Sequence, residues 1–480
     1  MSEWTSESIP TFAVVGRVNM GKSAVLATLL EIDDDKVIRV SPTPGETTQC
    51  QVLPVQFDGE EHLRFIDTPG FARPIDAMRV IKELAGSGQP GLGELRHFVR
   101  EMADEFPDEA RLLAPIIEGA GVLYVVDPSK PLRDVSLAEI EILRWSGRPR
   151  LAVLNCKGER AEHEEEWRLR LGSSFNLVRT FNAHRARYAE RRRLLGSLLE
   201  IEEEHGERIE RVLESISVEW EQRREESAEA VLDFLESALV LRVEGPVSER
   251  ELEVARRRER MGEELAKKYF GKLAKLEGGC LKSLLRIHRH QLLEAASDDA
   301  FAGIDLQSAE SWRKWGLSRW QLALAGALAG GAAGAAVDLS VGGVSHGAVA
   351  VIGGVGGGAL ALWKGGSLPE LVFKRGMPAL AQGAGRSLIV GPPNSANFPW
   401  MLLDSVLVRY RRILARAHGR RDREELSAGD EEGVSRKLPG ERRKLLQKWF
   451  ESCLKGRPSR GLEPEVYQAL VETLGEVEEG

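Results

Sequence analysis

The chain opens with an apolar run, Phe12-Ala13-Val14-Val15, and similar runs return at Leu63-Arg64-Phe65-Ile66, Val122-Leu123-Tyr124-Val125-Val126 and Leu151-Ala152-Val153-Leu154. Short runs of this kind, bounded by polar and turn-forming residues, read as strands. A helical stretch at 136–145 separates the last two, and a strand-like 176–181 follows. This βα alternation predicts an α/β domain over 1–190, a mostly parallel sheet flanked by helices. The connection between Gly70 and Val122 is unusually long, with a Gly- and Pro-rich turn at 86–91 and a helical pattern at 94–106. It reads either as a partner surface or as a passive insertion.

Beyond residue 190 the period becomes helical. Ile209, Val212, Leu213, Ile216 and Trp220 recur at three and four, as do Val231, Phe234, Leu235 and Leu239, which predicts long helices with one buried stripe. Gly245-Pro246 breaks the run, and 248–295 is expected to fold back antiparallel. Further on come a short strand at 387–390, an apolar segment at 398–407, a linker at 427–433 and a terminal helix after Pro464. The predicted division is 1–190 for the α/β domain, 191–310 for the long helices and 311–370 for an apolar hairpin. A mixed segment with a basic helix follows at 371–425, then a linker and C-terminal helix at 426–480.

Chemistry enters at Gly16-Arg17-Val18-Asn19-Met20-Gly21-Lys22-Ser23, a complete G-x-x-x-x-G-K-S/T phosphate loop between the first strand and a helical run. Gly16 and Gly21 let the backbone curl so that amides from Asn19, Met20, Gly21, Lys22, Ser23 and Ala24 face a nucleoside polyphosphate at a helix N-terminus. Lys22 is expected at the β and γ phosphates, and Ser23 at Mg²⁺. In the turn-rich stretch 41–48, Thr47 and Thr48 are candidates for a hydroxyl that reaches the metal when a γ-phosphate is present. The strand at 63–66 ends in Asp67-Thr68-Pro69-Gly70, where Asp67 is a candidate metal holder and the Gly70 amide a γ-phosphate sensor.

These three elements together resemble the Era-like bacterial GTPases, which combine GxxNxGKS, a Pro-Gly-Thr-Thr switch and DTPG. Later segments, Asn155-Cys156-Lys157 and Phe181-Asn182-Ala183-His184-Arg185-Ala186, resemble bacterial GTPases that carry a C-terminal domain of unknown function. The resemblance implies a Mg²⁺-dependent switch that binds GTP and GDP and hydrolyses GTP slowly without a partner or monovalent cation. Lys22, Thr48 and Asn19 would carry catalysis, and Ser23, Thr48 and Asp67 would hold the metal. Two departures stand out. The family reads guanine with Asn-Lys-x-Asp, whereas this chain has Asn155-Cys156-Lys157-Gly158-Glu159. With Asn155 first, the lysine and aspartate are lost to Cys156 and Gly158. With Cys156 first, Lys157 is kept and Glu159 replaces aspartate; this second alignment is the expected one, because it preserves the cation and a carboxylate able to take the bidentate contact. Ala183 falls where such proteins place a backbone amide against the base, and His184 reads as a loop hydrogen-bonder. The second departure is Phe71, which cannot orient water as the glutamine of some GTPases does. Some Era-like proteins share this replacement and use K⁺ held by the loop asparagine, here Asn19.

Composition then bounds the remainder. A chain of 480 residues exceeds one ordinary core, and the formal charge of −8 argues against wholesale nucleic-acid binding while leaving local basic patches open. Cys50, Cys156, Cys280 and Cys453 lack metal spacing, which suits a reducing cytosol. The polar, acidic start is not expected to be a secretory signal. Arg286, His288, Arg289 and His290 read as a solvated helix face or an acidic-lipid contact. Arg409, Arg411, Arg412, Arg416, Arg420 and Arg421, with Tyr410 interleaved, read as an exposed amphipathic helix or an RNA or lipid contact.

The glycine-rich apolar hairpin at 320–363 has Gly326, Gly330 and Gly334 at fourfold spacing, Gly354 and Gly358 in its second leg, and Trp315, Trp320 and Trp363 at its open end. Each leg of about sixteen residues spans roughly 24 Å as helix, short of a ~30 Å hydrocarbon core. Lipid contact and close helix packing, including a homodimer through hairpins or G domains, are both expected partners of this pattern. The expected location is the cytoplasm or the cytoplasmic face of the inner membrane. The competing roles are a nucleotide-gated membrane scaffold with little turnover and an RNA- or ribosome-associated factor.

Overall fold

The structure, a computed structural model, describes residues 9–32, 49–57, 59–156, 162–202, 204–247, 255–290, 372–375, 386–392, 397–418 and 434–479. Thr47, Thr48, Lys157, Glu159 and the 320–363 hairpin lie outside them. The chain divides into two compact units. The first comprises residues 1–222 with the short segments 289–292 and 414–423.

That unit is built on six strands: β1 (Thr11–Val15), β2 (Gln51–Phe57), β3 (Glu60–Asp67), β4 (Gly121–Val126), β5 (Arg150–Asn155) and β6 (Leu177–Phe181). Their order is β2-β3-β1-β4-β5-β6, with every pair parallel except β2–β3. The continuous apolar runs follow from burial on both faces. Along β1, Ala13 and Val15 enter one core, while Phe12 and Val14 enter the other. Helices α1 (Lys22–Leu29) and α7 (Tyr188–Leu199) pack into the second core. The first core is covered by α2 (Pro74–Ala85), α3 (Leu92–Glu101), α4 (Pro107–Ile117), α5 (Asp134–Trp145) and α6 (Glu164–Gly172). The long connection after Gly70 is therefore three helices. The pattern at 94–106 corresponds to α3, which stops at Glu101, and α4 was not legible because Pro107 and Pro115 punctuate it.

One polar cluster is sealed into the first core. Glu139 of α5 is fully buried, accepts a hydrogen bond from the Tyr124 hydroxyl at 2.7 Å, and lies 3.7 Å from the Arg17 guanidinium. Burial pushes its carboxyl up to about 8, against the opposing pull of Tyr124, Arg17 and Lys22.

The second unit comprises residues 223–288, 293–413 and 424–480, so the division between the two units falls within α8 (Gly206–Val240). The expected break at Gly245-Pro246 is a strand, β7 (Val243–Val247), which pairs antiparallel with β9 (Arg386–Val390); β8 (Val372–Arg375) lies on the other side of β9. Proline is tolerated there because β7 is an edge. The unit's helices are α9 (Ala255–Ile287), α10 (Phe398–Ala415), α11 (Gly440–Leu454) and α12 (Glu463–Glu479).

Burial corrects part of each of two basic clusters, while Arg286 and Arg289 remain exposed to solvent. Arg409 is 2% exposed and ion-paired with Glu277, which also accepts from Ser405; Tyr410 is fully buried and donates to Glu478 at 2.7 Å. The start of the basic run is thus internal, because α10 turns this face to the core. His288 and His290 are likewise buried: His288 lies 3.2 Å from the Ser227 hydroxyl, and His290 stacks on His418. Among the described residues no helix is long and apolar enough to cross a membrane.

Two outcomes follow. A carboxyl whose folded pKa is raised from 4.5 to about 8 contributes stability that is complete at acid pH and lost as pH rises through about 8. Resistance of the first unit to denaturant should fall as pH rises over that window, and Glu139→Gln should flatten the slope; parallel slopes would remove the assignment. In the second unit, Arg409→Ala strands Glu277 and should destabilise by about 3–5 kcal/mol. Replacing both by Met removes both charges and should be milder. Summed losses in the double variant would contradict this.

Candidate nucleotide-binding site

Strand β1 ends at Val15, and the chain must turn sharply over β4 to reach α1. Gly16 has φ 141°, and a Cβ there would lie 2.3 Å from the Val125 carbonyl oxygen, so only glycine fits. Asn19 (φ 65°) and Gly21 (φ 92°) are also left-handed, which curls the loop. Asparagine is among the side chains that tolerate this conformation. No side chain caps α1, whose first N–H groups are left to an external acceptor.

Two oppositely charged groups converge beneath this loop. Lys22 is 7% exposed, and its Nζ donates to the Gly16 carbonyl at 3.1 Å and the Arg17 carbonyl at 3.4 Å. The parallel β1–β3 register sets Val14 opposite Asp67, delivering that carboxylate to the loop. Ser23 Oγ donates to Asp67 Oδ2 at 2.9 Å, whereas buried Asp67 Oδ1 has no partner among the described residues. Burial pushes the Asp67 carboxyl up and the Lys22 ammonium down, and each partly offsets the shift of the other. Hard oxygen ligands beside an orphaned carboxylate oxygen suit Mg²⁺. The structure thus brings Ser23 and Asp67 together.

Gly70 lies directly on the loop: a Cβ there would sit 2.8 Å from Val18 N. Thr68, which sequence reading passed over, fixes this approach by donating its hydroxyl to the Val14 carbonyl at 2.8 Å. Phe71 is 3% exposed in the core shared by α2–α5.

On the far side, Asn155 ends β5, fully buried. Its Nδ2 donates to the Met20 carbonyl and its Oδ1 accepts from the Ala183 N–H, both at 3.1 Å. One side chain therefore ties the phosphate loop to the 182–184 loop. Thr28 of α1 adds a second tie, donating to the Ala183 carbonyl at 2.6 Å, and the His184 N–H donates to Asn182 Oδ1 at 2.9 Å. Thr28 carried no sequence signal, since its role depends on a contact 155 positions away. Cys156 makes a backbone bond to the Phe181 carbonyl, and burial pushes its thiol up to about 11.

Residues 11–156 match the family described as 50S ribosome-binding GTPase, and residues 168–476 match the domain of unknown function DUF3482. GTPase Era of Cronobacter sakazakii is 31% identical over 126 residues, 25% of this chain and 40% of that protein. A probable GTP-binding protein EngB of Streptococcus sanguinis is 39% identical over 70 residues, 15% of this chain and 33% of that protein. The chain thus spans less than half the length of these relatives. Among solved structures, Era in complex with MgGDPNP and a segment of 16S ribosomal RNA aligns over 37% of this chain and 52% of its own, with 19% identity and a TM-score of 0.27. The second profile begins within α6, so the 182–184 loop lies in the stretch it matches. Because that profile covers well over half of its residues, the chain belongs to the DUF3482 family, here preceded by an Era-like P-loop GTPase domain.

Proposed function

We propose that the first unit binds a guanine nucleotide with Mg²⁺ and hydrolyses GTP, acting as a switch for the region that follows. The observation that carries this reading is the Ser23–Asp67 pair, with one buried oxygen unpartnered among the described residues, beside Lys22 and the uncapped start of α1. The printed names of the relatives, a GTPase and a GTP-binding protein, support it.

The chain's residues then have distinct tasks. Lys22 and the loop amides bind the phosphates and stabilise charge on the transferring group. Ser23, Asp67 and Thr48 hold Mg²⁺, which when bound neutralises the phosphate oxygens. Gly70, resting on Val18, senses the γ-phosphate through its N–H. Buried Phe71 offers the attacking water no polar group, which leaves Asn19 as the proposed K⁺ ligand. The anchoring contacts of Asn155 favour the alignment in which it stands first, with Cys156 and Gly158 at the lysine and aspartate positions. Loss of a paired carboxylate at the base costs about 1–3 kcal/mol of discrimination.

Nucleotide binding by the full chain tests this directly. Lys22→Ala should weaken GTP binding about tenfold to hundredfold, and ATP should compete measurably, though less well than GTP. Retained affinity in Lys22→Ala would sink the reading. Turnover should be faster in K⁺ than in Na⁺, with the difference lost in Asn19→Ala; equal rates in both salts for the unaltered chain would remove the ion.

A further inference from the structure

Two residues beyond Gly70 the backbone is held from a remote helix. Glu109, in the first turn of α4 and 1% exposed, accepts hydrogen bonds at Oε1 from the Ala72 N–H (2.9 Å) and the Arg73 N–H. These donors stand at the start of α2, where Arg73 is the cap residue and its own side chain makes no capping bond. Helix starts are commonly capped by a local Ser, Thr, Asp or Asn. Here the acceptor comes from the inserted helices, so displacement of one element strains the other. The Arg73 guanidinium reinforces the grip by donating to the Glu105 carbonyl and lying 4.4 Å from the Phe106 ring centre.

An independent contact joins α4 to the other switch segment. Cys50, two residues past Thr48, donates its thiol to the Arg111 carbonyl at 3.3 Å. Helix α4 therefore meets the chain just after both segments expected to sense the γ-phosphate. Residues 70–73 are fixed at successive points: Gly70 on Val18, Phe71 in the core, and the next two amides on Glu109.

We infer that Glu109 is a positioning residue for γ-phosphate sensing. It holds the start of α2 so that the Gly70 N–H stays at the phosphate loop, and it makes the inserted α3–α4 pair the element that reads nucleotide state. This rests on the nucleotide reading proposed above and extends it to a part of the chain with no counterpart among the loop motifs.

The test uses the full chain with Mg²⁺, fluorescent GDP and a non-hydrolysable GTP analogue. Glu109→Ala should lower affinity for the analogue relative to GDP by about fivefold or more, and Glu109→Gln, which keeps an acceptor oxygen, should restore most of the ratio. Binding by the unaltered chain with a ratio unchanged in Glu109→Ala overturns this inference alone. Binding of neither nucleotide by the unaltered chain overturns the nucleotide reading and this inference with it. Hydrogen exchange on the unaltered chain needs no variant: the Ala72 and Arg73 amides should exchange more slowly with the analogue than with GDP, and equal protection in the two states overturns the inference.

Discussion

A buried lysine and a buried aspartate at the same end of the sheet are the constraint on which the first unit turns. Neither Lys22 nor Asp67 is well served by the described residues alone: burial disfavours both charges, and one aspartate oxygen lacks a hydrogen bond among those residues. Such an arrangement is stable only when the surroundings over-determine it. Here the parallel β1–β3 pairing delivers Asp67, the curl from Gly16 delivers Lys22, and two apolar cores keep water from relaxing either. On the proposed reading, a polyphosphate with its cation would supply the charges that the site is missing.

The rest of the unit can be understood as bracing for that site. Four polar contacts pin the described segments around it. Thr68 reaches back to β1, Asn155 at the end of β5 holds the phosphate loop, Thr28 of α1 holds the 182–184 loop, and Glu109 of α4 holds the start of α2. The Thr68, Asn155 and Thr28 contacts are buried, as is the Glu109 carboxylate, and there an unmatched partner costs more than the bond itself contributes. They convert a set of loops into a pre-organised cradle.

Much of this was legible in the sequence, for identifiable reasons. Strands such as Phe12–Val15 announce themselves because both faces are buried, and the phosphate loop because its glycines meet a steric requirement at Gly16. Strand β2 was missed: it is an edge with Pro54 inside and alternating exposure, a pattern that resembles a loop. The helical period continues unbroken through α8, so nothing in it marks the division near residue 222. Arg409 and Tyr410 looked like part of a solvated basic face because their partners, Glu277 and Glu478, are far away in the chain. Glu109 and Glu139 were illegible for the same reason, since a charged residue in a helix gives no sign that it points inward.

The central claim is that the Ser23–Asp67 pair awaits a cation bound together with a triphosphate. The most direct measurement is GTP-analogue affinity of the full chain with and without Mg²⁺, repeated in Asp67→Asn. The account predicts a strong Mg²⁺ dependence in the unaltered chain that Asp67→Asn largely abolishes. Affinity indifferent to Mg²⁺ in the unaltered chain, or a dependence that survives intact in Asp67→Asn, would contradict it.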